Sequence, residues 1–263
     1  MNWIKTLLII IPAFYILGAV FFYFFQARII FLPDPLDQSF NYSFEANFDE
    51  LRLEMEDGVV LNALHFKPDQ PKGMIVYFHG NAGNLSRWGE VVIPFVERGY
   101  EVLLVDYRGY GKSGGKFNKR KMLKDAEAVY GYAAGIWPQD RIIVYGRSLG
   151  SSFACHVAKN YTPGHVILET PFASLADVAK DIAWMYPVSV ILKFNFQNAK
   201  KADRIKSPVT IFHGTDDSIV PFASGEKLHK AIKTSTFYKV EKGDHNDLST
   251  FKKYWETIDS ILK

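Results

Sequence analysis

Short apolar runs rich in β-branched residues recur along the chain, and they constrain its fold more than any other feature. Six such runs are spaced through it, at residues 74–78, 102–106, 142–145, 166–168, 209–212 and 236–240. Continuous runs of this kind are typical of parallel strands that are covered on both faces. Helix-like segments lie between or after them, at residues 123–132, 151–159, 226–232 and 251–262. Strands alternating with helices predict an α/β fold with a mostly parallel sheet.

A hairpin precedes this series and adds an antiparallel start to the sheet. Residues 51–55 alternate apolar and polar side chains, residues 57–58 are the turn signal Asp-Gly, and residues 59–66 return as a second strand. We therefore expect a mixed sheet of about eight strands. In such sheets the functional residues lie at the carboxyl ends of the parallel strands.

The amino-terminal residues differ from the rest of the chain. Residues 7–25 form a run of 19 without a charge, flanked by Lys5 and Arg28. At about 1.5 Å per residue, this run nearly crosses a hydrocarbon core of about 30 Å. A cleaved signal peptide usually has a shorter apolar region, of about 7–15 residues, and a buried core helix is the other alternative. The sequence favours a single transmembrane helix over both.

This interpretation divides the chain into a membrane anchor at residues 1–28, a linker at 29–49 and one α/β domain at 50–263. A slight positive excess at the amino end of the anchor favours a single-pass membrane protein with the domain on the non-cytoplasmic side. The net charge of +3 gives no argument for nucleic acid. Cys155 is the only cysteine, which excludes an internal disulfide and a cysteine-based metal site. The oligomeric state does not follow from the sequence.

One serine lies in the pattern G-x-S-x-G. The segment GRSLG at residues 146–150 follows an apolar run and precedes a helix-like segment. In this strand–turn–helix context the turn is so tight that side chains at the flanking positions would clash, and the serine Oγ is exposed at the amino end of a helix. Ser148 is therefore the predicted nucleophile.

Two later loops offer the partners that a serine nucleophile needs. HGTDDSIVP at 213–221 and GDHND at 243–247 each follow a predicted strand, in the order serine, acid, histidine. His245 is the predicted base, and a carboxylate would orient its ring and stabilise the imidazolium. Asp216 and Asp217 are the candidate acids in the first loop, and Glu169, which ends another strand, is an alternative acid.

Backbone donors for an oxyanion are predicted in an earlier turn. HGNAGN at 79–84 follows the run at 74–78, and a glycine-rich turn of the His-Gly type lends an N–H to a tetrahedral intermediate. We assign one donor to the N–H of Asn81. The second is the N–H of Leu149, the residue after the predicted nucleophile.

Together with DYRGYGKS at 106–113, these motifs resemble the α/β-hydrolase superfamily, and most closely its single-pass, membrane-anchored α/β-hydrolase domain proteins and its serine-aminopeptidase-like hydrolases. The resemblance covers about residues 50–263. It implies Asp217 as the acid, because the family acid is the second aspartate of its pattern HG-T-x-D-x-x-V-P, with Asp216 as the alternative. It also implies a short cap at 177–196, for which simple packing of a crossover helix is the alternative.

The resemblance implies a serine hydrolase that cleaves carboxylic esters or thioesters through an acyl-enzyme, with no metal and no organic cofactor. We expect a small-molecule or lipid ester as substrate, and the anchor favours an acyl-lipid or amphiphilic ester. A serine peptidase or amidase of the same fold and a catalytically silent binding protein are the alternatives. The glycines at 109–114 also match the dinucleotide pattern G-x-G-x-x-G, but residues 106–108 separate them from the apolar run, and the hydrolase motif explains them better.

Overall fold

The computed structural model describes residues 3–262, with all their side chains except those of Asp181 and Ile182. Over these residues the strands are β1 (Leu32–Pro33), β2 (Phe48–Glu54), β3 (Val60–Phe66), β4 (Met74–Phe78), β5 (Ala82–Gly83), β6 (Glu101–Val105), β7 (Ile142–Arg147), β8 (His165–Glu169), β9 (Val209–Gly214) and β10 (Ser235–Val240). The helices are α1 (Trp3–Ile30), α2 (Leu85–Glu97), α3 (Lys119–Ala134), α4 (Ser151–Asn160), α5 (Leu175–Ile182), α6 (Val188–Ile191), α7 (Phe222–Ala231) and α8 (Lys252–Ile261).

Eight of the strands form one sheet, in the order β10-β9-β8-β7-β4-β6-β3-β2. The pairs β2–β3 and β3–β6 are antiparallel, and the other neighbouring pairs are parallel. The predicted mostly parallel sheet with an antiparallel start is confirmed. The central strands β4 and β7 are buried at every position, as expected for strands covered by helices on both faces.

Two apolar layers sandwich the sheet, and β4 contributes to both. Its residues Met74, Val76 and Phe78 pack into a layer shared with α3 and α4. Ile75 and Tyr77 pack into the opposite layer, which includes side chains of α2 and α8. This division follows from the two-residue period of a strand. It fixes the carboxyl end of β4 firmly in the centre of the molecule.

Helix α2 is the main element that is not predicted from the sequence. Its first turn is capped by Asn84, whose side chain accepts a hydrogen bond from the Ser86 N–H at 2.8 Å. Trp88 and Val92 are buried against the sheet. Pro94 lies inside the helix. Because an interior proline removes a backbone hydrogen bond, the sequence of this segment does not predict a helix.

The amino-terminal helix α1 is long and apolar enough to cross a membrane. It extends to Ile30, past the predicted end of the anchor at residue 28. The residues that follow it are packed on the domain. The ring of Phe31 is buried and lies 4.5 Å from that of Phe117, and β1 pairs with β5. The boundaries at residues 28 and 49 stay a prediction.

The cap predicted at 177–196 corresponds to α5, α6 and the segment after them, between β8 and β9. Several of its side chains are exposed although they are large and apolar: Trp184 (77%), Met185 (54%) and Val190 (79%). The cap packs partly on α1. It is therefore a substructure beside the carboxyl edge of the sheet, next to the end of the amino-terminal helix.

We predict that the Cys155 thiol is inert in the folded protein. It lies in α4 without exposed surface, and burial raises the pKa of the thiol from 9.0 to about 11. Near neutral pH this leaves about 100-fold less thiolate than an ordinary cysteine has. Ellman's reagent should therefore react at least about 100-fold more slowly with the folded protein than with the same protein in urea. Rapid modification without denaturant would contradict the packing of α4.

Candidate active site

A cavity of about 260 Å³, called here the site cavity, lies where β4 and β7 end, beside the loops that follow β9 and β10. Four of the five predicted site residues line it: Ser148, His245, Asn81 and Leu149. The fifth, Asp217, does not line the cavity but contacts the ring of His245. Residues far apart in the chain therefore meet at the edge of the sheet where the topology predicts a site.

The turn that carries Ser148 is tight and strained. Strand β7 ends at Arg147, and a single turn of 3-10 helix (Ser148–Gly150) leads into α4. Ser148 has a φ of +50°, a conformation that costs a residue other than glycine about 1–3 kcal/mol. A Cβ on Gly150 would lie 1.9 Å from the Phe78 carbonyl oxygen, and a Cβ on Gly146 would lie 2.6 Å from the Cβ of Ala154. Both glycines are therefore required by contacts across the turn.

His245 and Asp217 form a close pair. The Nδ1 atom of His245 lies 2.9 Å from Oδ2 and 3.0 Å from Oδ1 of Asp217. The carboxylate has no exposed surface, and it also accepts hydrogen bonds from the backbone N–H groups of Val220 (2.7 Å) and Ile219 (3.0 Å). Because an ionised carboxylate only accepts, Nδ1 of His245 carries the proton, which leaves Nε2 able to accept another.

The environment of Asp217 keeps its carboxylate charged. Burial by itself would raise the pKa of Asp217, but hydrogen bonds from His213, His245 and the Val220 N–H hold this pKa below its ordinary value. A carboxylate with a lowered pKa stabilises the fold above the ordinary carboxyl pKa. That stability is lost as the pH falls through the pKa of the folded state. The negative charge is therefore present near neutral pH, when an imidazolium would need it.

The two other candidate acids have different contacts. Asp216 is exposed and accepts a hydrogen bond from the Thr215 hydroxyl at 2.9 Å. Glu169 is buried, where it accepts a hydrogen bond from the Tyr145 hydroxyl and lies 3.4 Å from Nε of Arg147. The geometry thus brings Asp217, rather than either alternative, to the ring of His245.

The turn that contains Asn81 is held by its own side chain and carbonyl. The Tyr110 hydroxyl donates to the Asn81 carbonyl oxygen at 2.7 Å, and the Asn81 amide donates to the carbonyl of Ile30 at the end of α1. Leu149 lies in the first turn after β7, where backbone N–H groups have no partner within the helix. Both residues line the site cavity together with Ser148.

Arg147 was not singled out in the sequence, although it connects two parts of the site. Its Nη2 donates to the His245 carbonyl oxygen at 3.3 Å and to Oδ1 of Asn246 at 3.2 Å. Its guanidinium also lies over the Trp88 ring, 5.3 Å from the centroid. The strand that presents the serine is thereby joined to the loop that presents the histidine. In G-x-S-x-G the second position is unspecified, so the pattern contains no signal for this residue.

The walls of the site cavity are mainly apolar, and part of them comes from outside the sheet. Ile30 and Leu32 come from the end of α1 and the segment after it, and Leu175 and Val178 come from the cap helix α5. Among the described residues that line the cavity none is acidic, whereas two, Arg87 and Arg147, carry a permanent positive charge. The cavity is therefore suited to an apolar group with a neutral or negatively charged one nearby.

Comparison with known proteins relates the chain to hydrolases. Residues 69–194 match the family model described as serine aminopeptidase, S33. An uncharacterized protein of Mycobacterium tuberculosis is 31% identical over 229 residues, which is 84% of this chain and 81% of that protein. Lysophosphatidylserine lipase ABHD12 of Mus musculus is 28% identical over 289 residues, covering 87% of this chain and 70% of the lipase.

A solved structure gives the same picture of the fold. The Pyrococcus furiosus esterase Pf2001 superposes with a TM-score of 0.71 at 20% identity, over 88% of this chain and 97% of the esterase. At that identity the likeness concerns the fold. The segment of this chain that the family model matches contains the turn with Ser148 and the one with Asn81.

We predict that Gly150→Ala destabilises the protein, whereas Gly131→Ala does not. The new methyl group at position 150 would collide with backbone atoms of Phe78 and His79, and overpacking typically costs about 1–3 kcal/mol and occasionally more. Gly131 is the matched control, because it lies in α3 and a Cβ there would have no neighbouring atom within 4 Å. Alanine at this position should raise the free energy of unfolding by at most about 1 kcal/mol. Thermal unfolding of both variants in detergent measures the difference, and equal melting temperatures would contradict it.

Proposed function

Because the chain belongs to the α/β-hydrolase superfamily, we propose that it is a serine hydrolase that cleaves carboxylic esters or thioesters through an acyl-enzyme on Ser148. The observation that carries the proposal is the pairing of His245 with Asp217, because the imidazole so oriented lines the same cavity as Ser148. A histidine oriented by a buried carboxylate is the base that a serine hydroxyl needs.

In the first half of the proposed reaction, Ser148 Oγ attacks the carbonyl carbon of the substrate while Nε2 of His245 takes the serine proton. The negative charge that develops on the carbonyl oxygen is stabilised by the backbone N–H groups of Asn81 and Leu149. The tetrahedral intermediate then breaks its bond to the alcohol or thiol, which leaves with the proton from His245. The acyl group remains as an ester of Ser148.

In the second half, a water molecule attacks the acyl carbon while Nε2 of His245 takes one of its protons. The new intermediate breaks its bond to Ser148 Oγ, which recovers that proton, and a carboxylic acid is released. Asp217 stays ionised throughout and stabilises the imidazolium in both halves. The cycle uses groups of this chain and water.

For the substrate we propose an amphiphilic acyl ester, preferably with a negatively charged polar group. The apolar walls of the site cavity favour an acyl chain, and Arg87, exposed at its edge, favours an anion. The lipase relative is named for a lysophospholipid with an anionic head group, which agrees with this chemistry. An aminopeptidase would need a carboxylate for the ammonium group of its substrate, and the described lining contains none.

We also propose that α1 is a single-pass membrane anchor for this enzyme, with the division into anchor (1–28), linker (29–49) and catalytic domain (50–263) that the sequence predicts. The length and composition of α1 support the span. The slight positive excess at its amino end supports a catalytic domain on the non-cytoplasmic side.

We predict that Ser148→Ala abolishes both hydrolysis and labelling by a fluorophosphonate, because the variant has no nucleophile. Asp217→Asn should lose about 10⁴-fold in kcat and slow labelling to a similar extent, since both reactions need the base and an amide cannot hold the ring of His245 in the required tautomer. Ser260→Ala is the matched control, because Ser260 is exposed on α8. Labelling that persists in Ser148→Ala would refute the assignment. A folded wild-type protein that turns over no ester, thioester or amide would instead indicate a silent binding protein.

We predict that Arg87→Gln raises KM for an anionic lysophospholipid about threefold to fivefold, as expected for the loss of an exposed ion pair. KM for a neutral monoacylglycerol with the same acyl chain should not change. Arg120→Gln serves as the control, since Arg120 is an exposed arginine on α3. Steady-state kinetics on both substrates in mixed micelles test the prediction. An equal change for both substrates would show that Arg87 does not contact a charged group.

A further inference from the structure

A second cavity, called here the cap cavity, lies between α1 and the cap. Its volume is about 350 Å³. It adjoins the site cavity, and the two have six lining residues in common: Ile30, Leu32, Asn81, Leu175, Val178 and Ile219. The remaining lining of the cap cavity includes Phe22 and Ile29 of α1 and Ala179 of α5. An apolar space thus leads from beside Ser148 to the side of the amino-terminal helix.

The last turns of α1 are fixed to the cap by a buried glutamine. Gln26 is 4% exposed; its Nε2 donates to the Ile191 carbonyl oxygen at 3.1 Å, and its Oε1 accepts from the Lys193 N–H at 2.7 Å. A buried amide that is satisfied by the backbone of another segment holds that segment in one position. The end of α1 is therefore part of the folded domain.

A second contact lies further towards the amino end of α1. The Tyr15 hydroxyl donates to the Met185 carbonyl oxygen at 2.8 Å, and the Tyr15 ring stacks on that of Tyr186 at 5.0 Å. A Cβ on Gly18 would lie 2.1 Å from the Tyr186 hydroxyl oxygen, so the Tyr186 side chain approaches the backbone of α1 closely at this point. The cap thus follows α1 from Gln26 back to Tyr15, which at about 1.5 Å per residue is roughly 16 Å of helix.

The lining of the cap cavity is suited to an aliphatic chain. Of the described residues that line it, only Gln26 and Asn81 are polar, and the amides of both are already occupied by hydrogen bonds. A polar ligand would find no free partner there, whereas methylene groups gain by leaving water. The exposed apolar side chains of the cap, among them Trp184 and Val190, lie on the segment that packs beside the candidate membrane span.

We propose that α1 and the cap together form the binding site for the acyl chain of a lipid ester, with α1 as one of its walls. The ester group lies at Ser148 in the site cavity, and the chain extends through the shared residues into the cap cavity, towards the hydrocarbon layer beside α1. The inference rests on the proposed function, and it deepens that function by giving the amino-terminal helix a part in substrate binding.

Two alkyl fluorophosphonates test this site, one with an ethyl chain and one with a hexadecyl chain, on the full-length protein in phosphatidylcholine nanodiscs. Both react with the same serine and differ only in the chain. Ala179→Trp, which fills the cap cavity, should slow hexadecyl labelling at least about tenfold, because the buried chain loses its space. It should leave ethyl labelling unchanged. Lys180→Trp is the matched control, because Lys180 is the exposed neighbour on α5.

A variant on α1 tests its role as a wall and does not depend on how the cap tolerates tryptophan. Phe22→Ala should lower the ratio of hexadecyl to ethyl labelling about threefold or more, through the loss of apolar contact. Phe14→Ala, a change at an exposed position of the same helix, should not. If the ratio of hexadecyl to ethyl labelling is unchanged in both Ala179→Trp and Phe22→Ala, the acyl-chain site is refuted while the proposed function still stands. If neither reagent labels the unchanged protein, the proposed function fails, and the inference fails with it.

Discussion

The close approach of the Ser148 turn to the end of β4 is the constraint on which the rest of the site depends. Position 150 lies so near the Phe78 carbonyl that no side chain fits between them. This contact sets the distance between the serine and the turn with Asn81, because both turns start from the central strands of the sheet. The strained φ of Ser148 is held by the packing of β7 and α4 on either side. An exposed loop would relax such strain.

Two buried carboxylates lie near this turn, those of Asp217 and Glu169, and each is paired with hydrogen-bond donors or a positive charge. Asp217 has His245 and two backbone N–H groups, while Glu169 has Arg147 and the hydroxyl of Tyr145. Arg147 belongs to one of these networks and also contacts the loop of the other. The two carboxylates therefore have separate tasks. One of them orients the histidine ring, and the other holds the arginine that positions the backbone of the histidine loop.

The sheet could be predicted from the sequence because its signals are local. The apolar runs that became β4, β7 and β9 are marked by their own composition and by the glycines near them, and the motif order places serine, acid and histidine at strand ends. Contacts between distant segments have no such signal. Three features depend on tertiary packing in this way. They are the hydrogen bonds between Gln26 and residues 191–193, the hydrogen bond from Arg147 to His245, and helix α2, whose sequence pattern is interrupted by Pro94. The cap cavity is invisible in the sequence for the same reason, since its walls come from distant parts of the chain.

The hydrogen bonds of Gln26 fix the position of the domain relative to the amino-terminal helix. An anchor that is joined to its domain by a loose tether lets the domain move freely above the lipid surface. Here the end of α1 is bonded to the cap, and the Tyr186 side chain lies close to Gly18 of the helix. If α1 spans a bilayer, a slide by one helical turn of about 5.4 Å would move the whole domain by the same amount. The distance of Ser148 from the lipid surface would then be fixed by the fold, and a membrane of different thickness would have to be matched by a tilt of α1 and the domain together.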